Sequence, residues 1–575
     1  MIRLFRFLKP YVGVILVAFA LVFLQSMANL YLPTLLADMV NNGIVKNDQN
    51  YILREGGLML LVTFGGALAA IGSAFFAARV AVGFGRDVRA KLFAHVSKFS
   101  LHEFDKVGTA SMITRTTNDT NQVQTVLVIM LSMLVSAPMM AIGGIILALQ
   151  QNATLTWTLA VAIPLLVVVI LLVMRRAIPL FQAMQVKIDK VNLVLDEGLT
   201  GVRVIRAFGR EPHEEQRFDD ANLDLTDTAI TVYRLVAILF PFMMLIVNLT
   251  TVAVFWFGSV LISQQSMQIG ALIAFLQYAV QILFAFLMLS MMFIFLPRAA
   301  VSARRINEVL DIRPEITDAA TTRAADSERG FVEFRDVTFS YPGAEEPALS
   351  HISFTARPGQ VTAIIGGTGA GKSSLVTLIP RFYDVDSGAV LVDGVDVREQ
   401  EQEALREKMG VVPQKAVLFS GTIAENIRYG KPDATDEEVR QAAEIAQASE
   451  FINAMPEGIE TPIAQGGTNI SGGQKQRLSI ARALIRRPEI YIFDDTFSAL
   501  DYATDARLRA ALKGVTADAT VFIVAQRVST ITEADQIIVL DEGQVAGIGT
   551  HHELMASNEV YREIVLSQLS AEEVA

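Results

Sequence analysis

Four stretches of the N-terminal half carry no Asp, Glu, Lys or Arg: Tyr11–Ala37 (27 residues), Gly56–Ala78 (23), Thr120–Met174 (55) and Leu235–Pro297 (63). A membrane-crossing helix takes about 20 apolar residues. The two short stretches therefore predict one crossing each and the two long ones two each, six helices in all. The long stretches break at Gln150-Gln151-Asn152-Ala153-Thr154 and at Ser263-Gln264-Gln265-Ser266. Helices buried in a water-soluble core are usually shorter and more amphipathic than this. The first stretch is too long for a cleaved signal peptide and lacks the small-residue cleavage pattern.

The segments between spans are as informative as the spans. Residues 79–119 hold seven Lys and Arg and residues 175–234 hold nine, while the connections after spans 3 and 5 hold none. This bias predicts that both termini and the two long connections are cytoplasmic. Both connections keep a helix-forming composition with little Gly or Pro, so helices 2 to 5 are expected to run on past the bilayer. About 20 extra residues reach about 30 Å into the cytosol. Each pair then closes in a short turn, near Phe104–Thr109 and near Phe208–Glu215, placed to touch a soluble domain.

Within the spans there are polar residues but no charged ones: Gln25 and Asn29 four apart, Gln277 and Gln281 four apart, and Asn248. Interhelical hydrogen bonding and the lining of a substrate cavity are both open to them. The missing carboxylates argue against a proton- or ion-coupled carrier. Span 6 is rich in Phe and Met (Phe284, Phe286, Met288, Met291, Met292, Phe293), a composition that suits packing, lipid contact or adaptable apolar recognition.

The character of the chain changes after residue 310. Residues 311–330 are polar without apolar periodicity and read as a linker, and from Phe331 short apolar strands alternate with helices. Of the 575 residues 52% are hydrophobic and 19% charged, which fits a chain with a large membrane part. Residues 1–310 carry 24 Lys and Arg against 18 Asp and Glu; residues 311–575 carry 24 against 41. An acidic soluble half argues against nucleic-acid binding. With no cysteine, disulfides and thiol chemistry are excluded.

The strand Gln360–Ile365 runs into Gly366-Gly367-Thr368-Gly369-Ala370-Gly371-Lys372-Ser373-Ser374 and then a helix. This is a phosphate-binding loop in its required strand–loop–helix setting. The glycines let backbone N–H groups wrap phosphate oxygens, Lys372 adds charge at the β- and γ-phosphates, and the Ser373 hydroxyl suits Mg²⁺. A second apolar strand, Ile490–Phe493, delivers Asp494 to the sheet edge, where it can hold Mg²⁺ through water. Twenty residues earlier stands Ile470-Ser471-Gly472-Gly473-Gln474, followed by Lys475-Gln476-Arg477.

With these motifs the chain resembles the ATP-binding cassette exporters over nearly its full length. The resemblance implies an all-α six-helix transmembrane domain (residues 1–310), a linker (311–330) and an α/β P-loop nucleotide-binding domain (331–575). It implies ATP-driven export of hydrophobic or amphipathic compounds across a bacterial cell membrane, with ATP and Mg²⁺ as cofactors and a hydrophobic small molecule, lipid or peptide as cargo amid membrane lipids. Tyr341 looks like the aromatic that stacks on adenine, and Gln414 like the glutamine that senses Mg²⁺ and water. Asp501, in Ser498-Ala499-Leu500-Asp501, looks like part of a loop crossing the dimer interface. In the family two cassettes pack head to tail, so Ser471, Gly472, Gly473 and Gln474 would cap ATP held by a second half-transporter subunit.

Two positions depart from the family pattern. Asp495 stands where the family usually has the glutamate base; one methylene shorter, it sets its oxygens back by about 1 Å when a base must come within about 2.6–3.2 Å, directly or through one water. Gln526 stands where the family has histidine, and an amide cannot take up a proton. A third oddity, Ala464-Gln465-Gly466-Gly467, replaces a segment that is often Gly-Glu-Arg-Gly. Together the first two imply a degenerate, slowly hydrolysing site in this chain and a heterodimer whose partner carries the competent one. The alternatives are a homodimeric exporter or lipid flippase that uses Asp495 as a weak base, and an ATP-gated channel or sensor.

Overall fold

The structure is a computed structural model that describes residues 2–319, 323 and 328–568, without the side chains of residues 2, 290–294 and 297. Met291, Met292 and Phe293, singled out above, fall among those side chains. The chain divides into two compact units, Met1–Ser97 with Thr109–Ile312 and Lys98–Gly108 with Arg313–Ala575.

In the first unit a short 3₁₀ helix (Ile2–Tyr11) leads into α1 (Val12–Asp38), followed by α2 (Gln49–Val96). The chain then passes through α3 (Leu101–Val107), which belongs with the second unit. It returns through α4 (Thr109–Thr114), a π-helical turn, α5 (Thr120–Gln151), α6 (Trp157–Thr200), α7 (Val202–Ala207), α8 (Glu211–Ser263) and α9 (Ile269–Asp311). Among the described residues, six helical segments are long and apolar enough to cross a membrane. At 48, 44 and 53 residues, α2, α6 and α8 measure about 65–80 Å and outrun a hydrocarbon layer of about 30 Å. The polar breaks form the turns the sequence predicts: Asn152 Oδ1 accepts from the Leu155 N–H after α5 (2.9 Å), and Gln265 takes a left-handed φ of 56° after α8.

Because lipid and leucine are equally apolar, these helices are held by close packing and by hydrogen bonds. A Cβ placed on Gly144 of α5 would lie 2.7 Å from Ile282 of α9, so only glycine admits that approach. Tyr278 of α9 shares a 2.6 Å hydrogen bond with Thr34 of α1 and donates to the Leu30 carbonyl (3.0 Å); Gln281 donates to the Asn29 carbonyl (3.3 Å). The Gln281 side chain therefore bonds between helices, onto the backbone of Asn29. At the end of the π-helical turn Arg115–Asp119, the buried Asp119 accepts from Ser302 (2.8 Å) and Arg305 (2.5 Å), which ties this turn to α9.

The second unit is α/β. Its strands are β1 (Val332–Phe339), β2 (Leu349–Ala356), β3 (Val361–Gly366), β4 (Ser387–Val392), β5 (Val395–Asp396), β6 (Met409–Val412), β7 (Gly421–Thr422), β8 (Pro462–Ile463), β9 (Ile490–Asp494), β10 (Thr520–Val524), β11 (Gln536–Asp541) and β12 (Gln544–Gly549). A four-stranded antiparallel sheet, β2-β1-β4-β5, accompanies a six-stranded one, β12-β11-β3-β10-β9-β6, in which only the edge strand β12 is antiparallel. Strands β3, β9 and β10 are almost wholly apolar because helices or the second sheet cover both faces. Along β9, Tyr491 and Phe493 enter one core and Ile490 and Ile492 the other, following the two-residue period of a strand.

The helices of this unit are α10 (Lys372–Leu378), α11 (Gln402–Glu407), α12 (Ile423–Arg428), α13 (Asp436–Ile445), α14 (Ser449–Asn453), α15 (Gly472–Leu484) and α16 (Tyr502–Val515), with two more at the C-terminal end. Helix α3 is anchored by Glu103, 2% exposed, whose carboxylate accepts from the Ser100 N–H (2.6 Å) and the Glu315 N–H (2.8 Å). The described part of the 311–330 segment is also tied down: Asp318 accepts both the backbone and side-chain N–H of Gln402 (3.0 Å each), bonds that hold its carboxyl below the usual range.

Candidate functional site: the phosphate loop and its carboxylates

Parallel strand order assembles the site. Strand β9 lies between β6 and β10 with Val412 level with Phe493 and Val524 level with Asp494. Gln414, two residues past β6, and Gln526, two past β10, therefore emerge on either side of Asp495, the first residue past β9. Strand β3, beside β10, ends in the phosphate loop. In that loop Gly369 and Gly371 have φ of 87° and 91°, a backbone that side chains rarely adopt. A Cβ on Gly371 would also stand 2.7 Å from the Ala348 carbonyl oxygen.

Lys372, the first residue of α10, folds its ammonium back onto the loop, donating to the carbonyls of Gly366 (2.9 Å) and Gly367 (2.6 Å). Burial pushes its pKa down, and Asp495 and Asp494 pull it back up. Ser373 Oγ donates to Asp494 Oδ1 (2.9 Å). Burial raises the Asp494 carboxyl, with Asp495 adding to the rise and Ser373 and Lys372 opposing it. A hydroxyl and a carboxylate in contact, both hard oxygen donors, fit Mg²⁺.

Asp495 is 7% exposed and strained, at φ 46° and ψ 30°. Both neighbouring glutamines donate to one of its oxygens, Oδ2: Gln526 Nε2 at 2.7 Å and Gln414 Nε2 at 3.0 Å. Gln414 thus keeps its carbonyl oxygen for a cation. Ser498 Oγ donates to the Asp495 carbonyl (2.9 Å), and Gln568, near the end of the described chain, donates to the Gln526 carbonyl (2.8 Å). From the sequence Ser498 reads only as part of the Ser498–Asp501 loop, not as a support for Asp495, and Gln568 does not stand out, since a lone residue 42 positions from its partner carries no motif.

The other sequence-picked residues sit as follows. Tyr341 is 38% exposed, with ring edges toward Phe339 (5.0 Å) and Tyr383 (5.4 Å), and its hydroxyl shares a 2.9 Å hydrogen bond with the buried Ser374 Oγ. Ser374 is thus engaged by the aromatic. Asp501 caps α16 by accepting from the Thr504 N–H (2.9 Å), a bond that lowers its pKa. Ser471 and Gln474 form a reciprocal cap on α15: the Ser471 hydroxyl accepts from the Gln474 N–H (3.3 Å), and the Gln474 side chain from the Ser471 N–H (3.0 Å). Among the described residues no hydrogen bond joins this cap to the phosphate loop. Within one chain the two form separate groups.

Comparison with known proteins agrees with this geometry. A family model described as ABC transporter transmembrane region matches residues 15–286, and one described as ABC transporter matches residues 349–498. An uncharacterized ABC transporter ATP-binding protein of Mycobacterium tuberculosis is 46% identical over 98% of this chain and 97% of that relative. An ATP-dependent lipid A-core flippase of Pseudomonas fluorescens is 33% identical over 99% of this chain and 96% of that relative. A solved bacterial Atm1-family ABC exporter with ATP bound superposes with a TM-score of 0.80 at 27% identity, over 98% of this chain and 99% of the other.

The chain belongs to the ATP-binding cassette transporters. It is a multi-pass membrane protein of the exporter type that carries one set of six membrane helices and one ATP-binding unit, a half-transporter, and its family couples ATP hydrolysis to transport.

Proposed function

We propose that the chain is one subunit of a heterodimeric exporter of hydrophobic or amphipathic compounds in a bacterial plasma membrane, with both termini in the cytosol. It holds ATP in its own slowly hydrolysing site and lends Ser471–Gln474 to the partner's fast site. The observation that carries this is the double hydrogen bond onto Asp495. The one carboxylate at the base position is short, and its Oδ2 already accepts from two amides. An attacking water must therefore compete with two amide donors for that oxygen, and neither amide can take a proton in its place. The phosphate-binding groups beside it are intact, so binding is retained where proton transfer is weak.

In this reading Lys372 holds the β- and γ-phosphates, Ser373, Asp494 and Gln414 hold Mg²⁺, and Tyr341 meets the adenine. Lys372→Ala is expected to weaken ATP binding to this chain at least tenfold, measured by titration of the purified full-length protein with a non-hydrolysable analogue. Unchanged affinity would remove the assignment. ATPase assays on the chain alone separate the heterodimer from a homodimer: the first predicts near-background turnover, the second a slow but saturable rate. Flux that needs hydrolysable ATP excludes an ATP-gated channel.

The turn around Phe208 supports a swapped arrangement. Phe208 follows α7 and is 76% exposed. We expect it to dock on the partner's ATP-binding unit, by likeness to exporters that exchange this contact. A Phe208→Cys variant of this cysteine-free chain, coupled to a short thiol-to-amine cross-linker, should yield a product with the mass of two chains. Adducts confined to one chain would contradict the exchange.

A further inference from the structure

The two helices at the C-terminal end are α17 (His551–Ser557) and α18 (Glu559–Gln568). In α18, Tyr561, Val565 and Gln568 are spaced i, i+4, i+7 and so share one face. Tyr561 and Val565 are fully buried in the apolar core of the second unit. The Tyr561 hydroxyl shares a 2.8 Å hydrogen bond with His551 Nδ1 of α17, and the Tyr561 N–H donates to Asn558 Oδ1 (2.7 Å). This face is therefore fixed, and it carries Gln568 to the segment that follows β10.

A glutamine at the end of a surface helix is ordinarily solvated. Gln568 instead engages both halves of its amide with one stretch of backbone. Its Nε2 donates to the Gln526 carbonyl (2.8 Å), and its Oε1 accepts from the Val528 N–H (2.9 Å). Arg527, between them, is extended at φ −102° and ψ 127°, so the carbonyl of 526 and the N–H of 528 face the same way, as along a strand edge. The amide supplies the donor and the acceptor that a neighbouring strand would. The Arg527 guanidinium adds a further tie, Nη2 to the Ser498 carbonyl (3.3 Å).

The segment so held delivers Gln526 to the site. Val524 of β10 is level with Ile364 of β3, and Gln526 and Gly366 each lie two residues further on. Gln526 thus stands beside the start of the phosphate loop, with Nε2 2.7 Å from Asp495 Oδ2. Asp495 in turn is close enough to Lys372 for its charge to raise the lysine's pKa. Gln526, Asp495 and Lys372 border one space, the place of a γ-phosphate when Lys372 holds the β- and γ-phosphates.

We propose that Gln568 is a positioning residue of the ATP site: by clamping the backbone at 526 and 528 it aims the Gln526 side chain at the terminal phosphate, and so favours triphosphate over diphosphate. Nucleotide preference reads this role, because ADP has no γ-phosphate for Gln526 to meet. The proposal rests on the reading of the phosphate loop as this chain's ATP site and is independent of the heterodimer.

The test is titration of the full-length protein in nanodiscs with a non-hydrolysable ATP analogue and with ADP. Gln568→Met keeps the length and bulk of the side chain and removes both hydrogen bonds. A hydrogen bond is worth about two- to tenfold in affinity, so Gln568→Met is expected to lower the preference for the analogue over ADP about fivefold, with ADP affinity unchanged. Gln526→Ala should lower it at least as much. In the double variant the Gln568 substitution should have no further effect, since it acts through Gln526. A preference unchanged in Gln568→Met, an equal loss for analogue and ADP, or a full additional loss on top of Gln526→Ala would each overturn the clamp. Lys372→Ala separates the clamp from the site. If it weakens both nucleotides while Gln568→Met leaves the preference unchanged, the clamp fails and the ATP site stands; if it weakens neither, the site reading fails and the clamp with it.

Discussion

Asp495→Glu combined with Gln526→His is expected to raise ATP hydrolysis at this chain's own phosphate loop by at least tenfold. Positioned acid–base groups contribute roughly 10²–10⁴ in rate, so the upper end of that range is the ceiling. The physical basis is the hydrogen-bond pattern. In the native chain, Gln526 and Gln414 both donate to Asp495 Oδ2. The longer carboxylate recovers about 1 Å of reach, and a histidine in place of Gln526 removes an amide donor and introduces a group that accepts and returns protons near neutral pH. Each single variant should give less than the pair, because a longer base still held by Gln526 keeps part of its restraint. Single-turnover hydrolysis with the partner's site inactivated measures this directly. A flat response would mean that another defect sets the rate, foremost the partner's own version of the Ser471–Gln474 segment.

Ser471→Ala should strike the transporter's total ATPase far harder than Asp495→Ala. Ser471 stands at the N-terminus of α15, where the helix dipole and its free N–H groups favour a phosphate. Because, among the described residues, no hydrogen bond joins the cap to its own chain's phosphate loop, its ligand in this reading is the ATP of the partner's fast site. A hydrogen bond to a charged group is worth about 1.5–3 kcal/mol. If realised in the transition state, that is about ten- to hundredfold in rate. The same hydroxyl caps α15, so Ser471→Thr, which keeps both functions, is the control: it should retain most of the rate if folding and contact are both preserved. In the same proposed reading Asp495 serves only the slow site, and its loss should leave most steady-state hydrolysis intact. Abolition by Asp495→Ala with survival of Ser471→Ala would invert the assignment of the two sites.

How much of this could be read from residues alone depended on whether the physics was local. A charge-free run is sufficient warrant for a membrane span, and the polar breaks at residues 150–154 and 263–266 became the turns. The phosphate loop was legible because glycines at fixed offsets after a strand have one dominant use. The two departures, Asp495 and Gln526, were also visible, but only as substitutions. That both Gln414 and Gln526 converge on one oxygen of Asp495 follows from the register of β6, β9 and β10, and register between distant parallel strands is not written in any one segment. The same holds for Glu103. It sits beside a turn between membrane spans, yet its carboxylate serves the backbone of residue 315 and binds α3 into the second unit. The polar stretch 311–330 showed no periodicity because its described contacts, such as Asp318 with Gln402, are single hydrogen bonds and not a packed face.

The nucleotide left on each subunit of the working transporter tests the asymmetry most directly. The assembled pair would be allowed to turn over azido-ATP labelled at the α-phosphate, which keeps its label after hydrolysis. It would then be frozen and photolysed, the two subunits separated, and the attached nucleotide identified on each. The account predicts intact triphosphate on this chain and mostly diphosphate on its partner. Equal diphosphate on both, or more on this chain, would contradict a slow site built around Asp495 and Gln526.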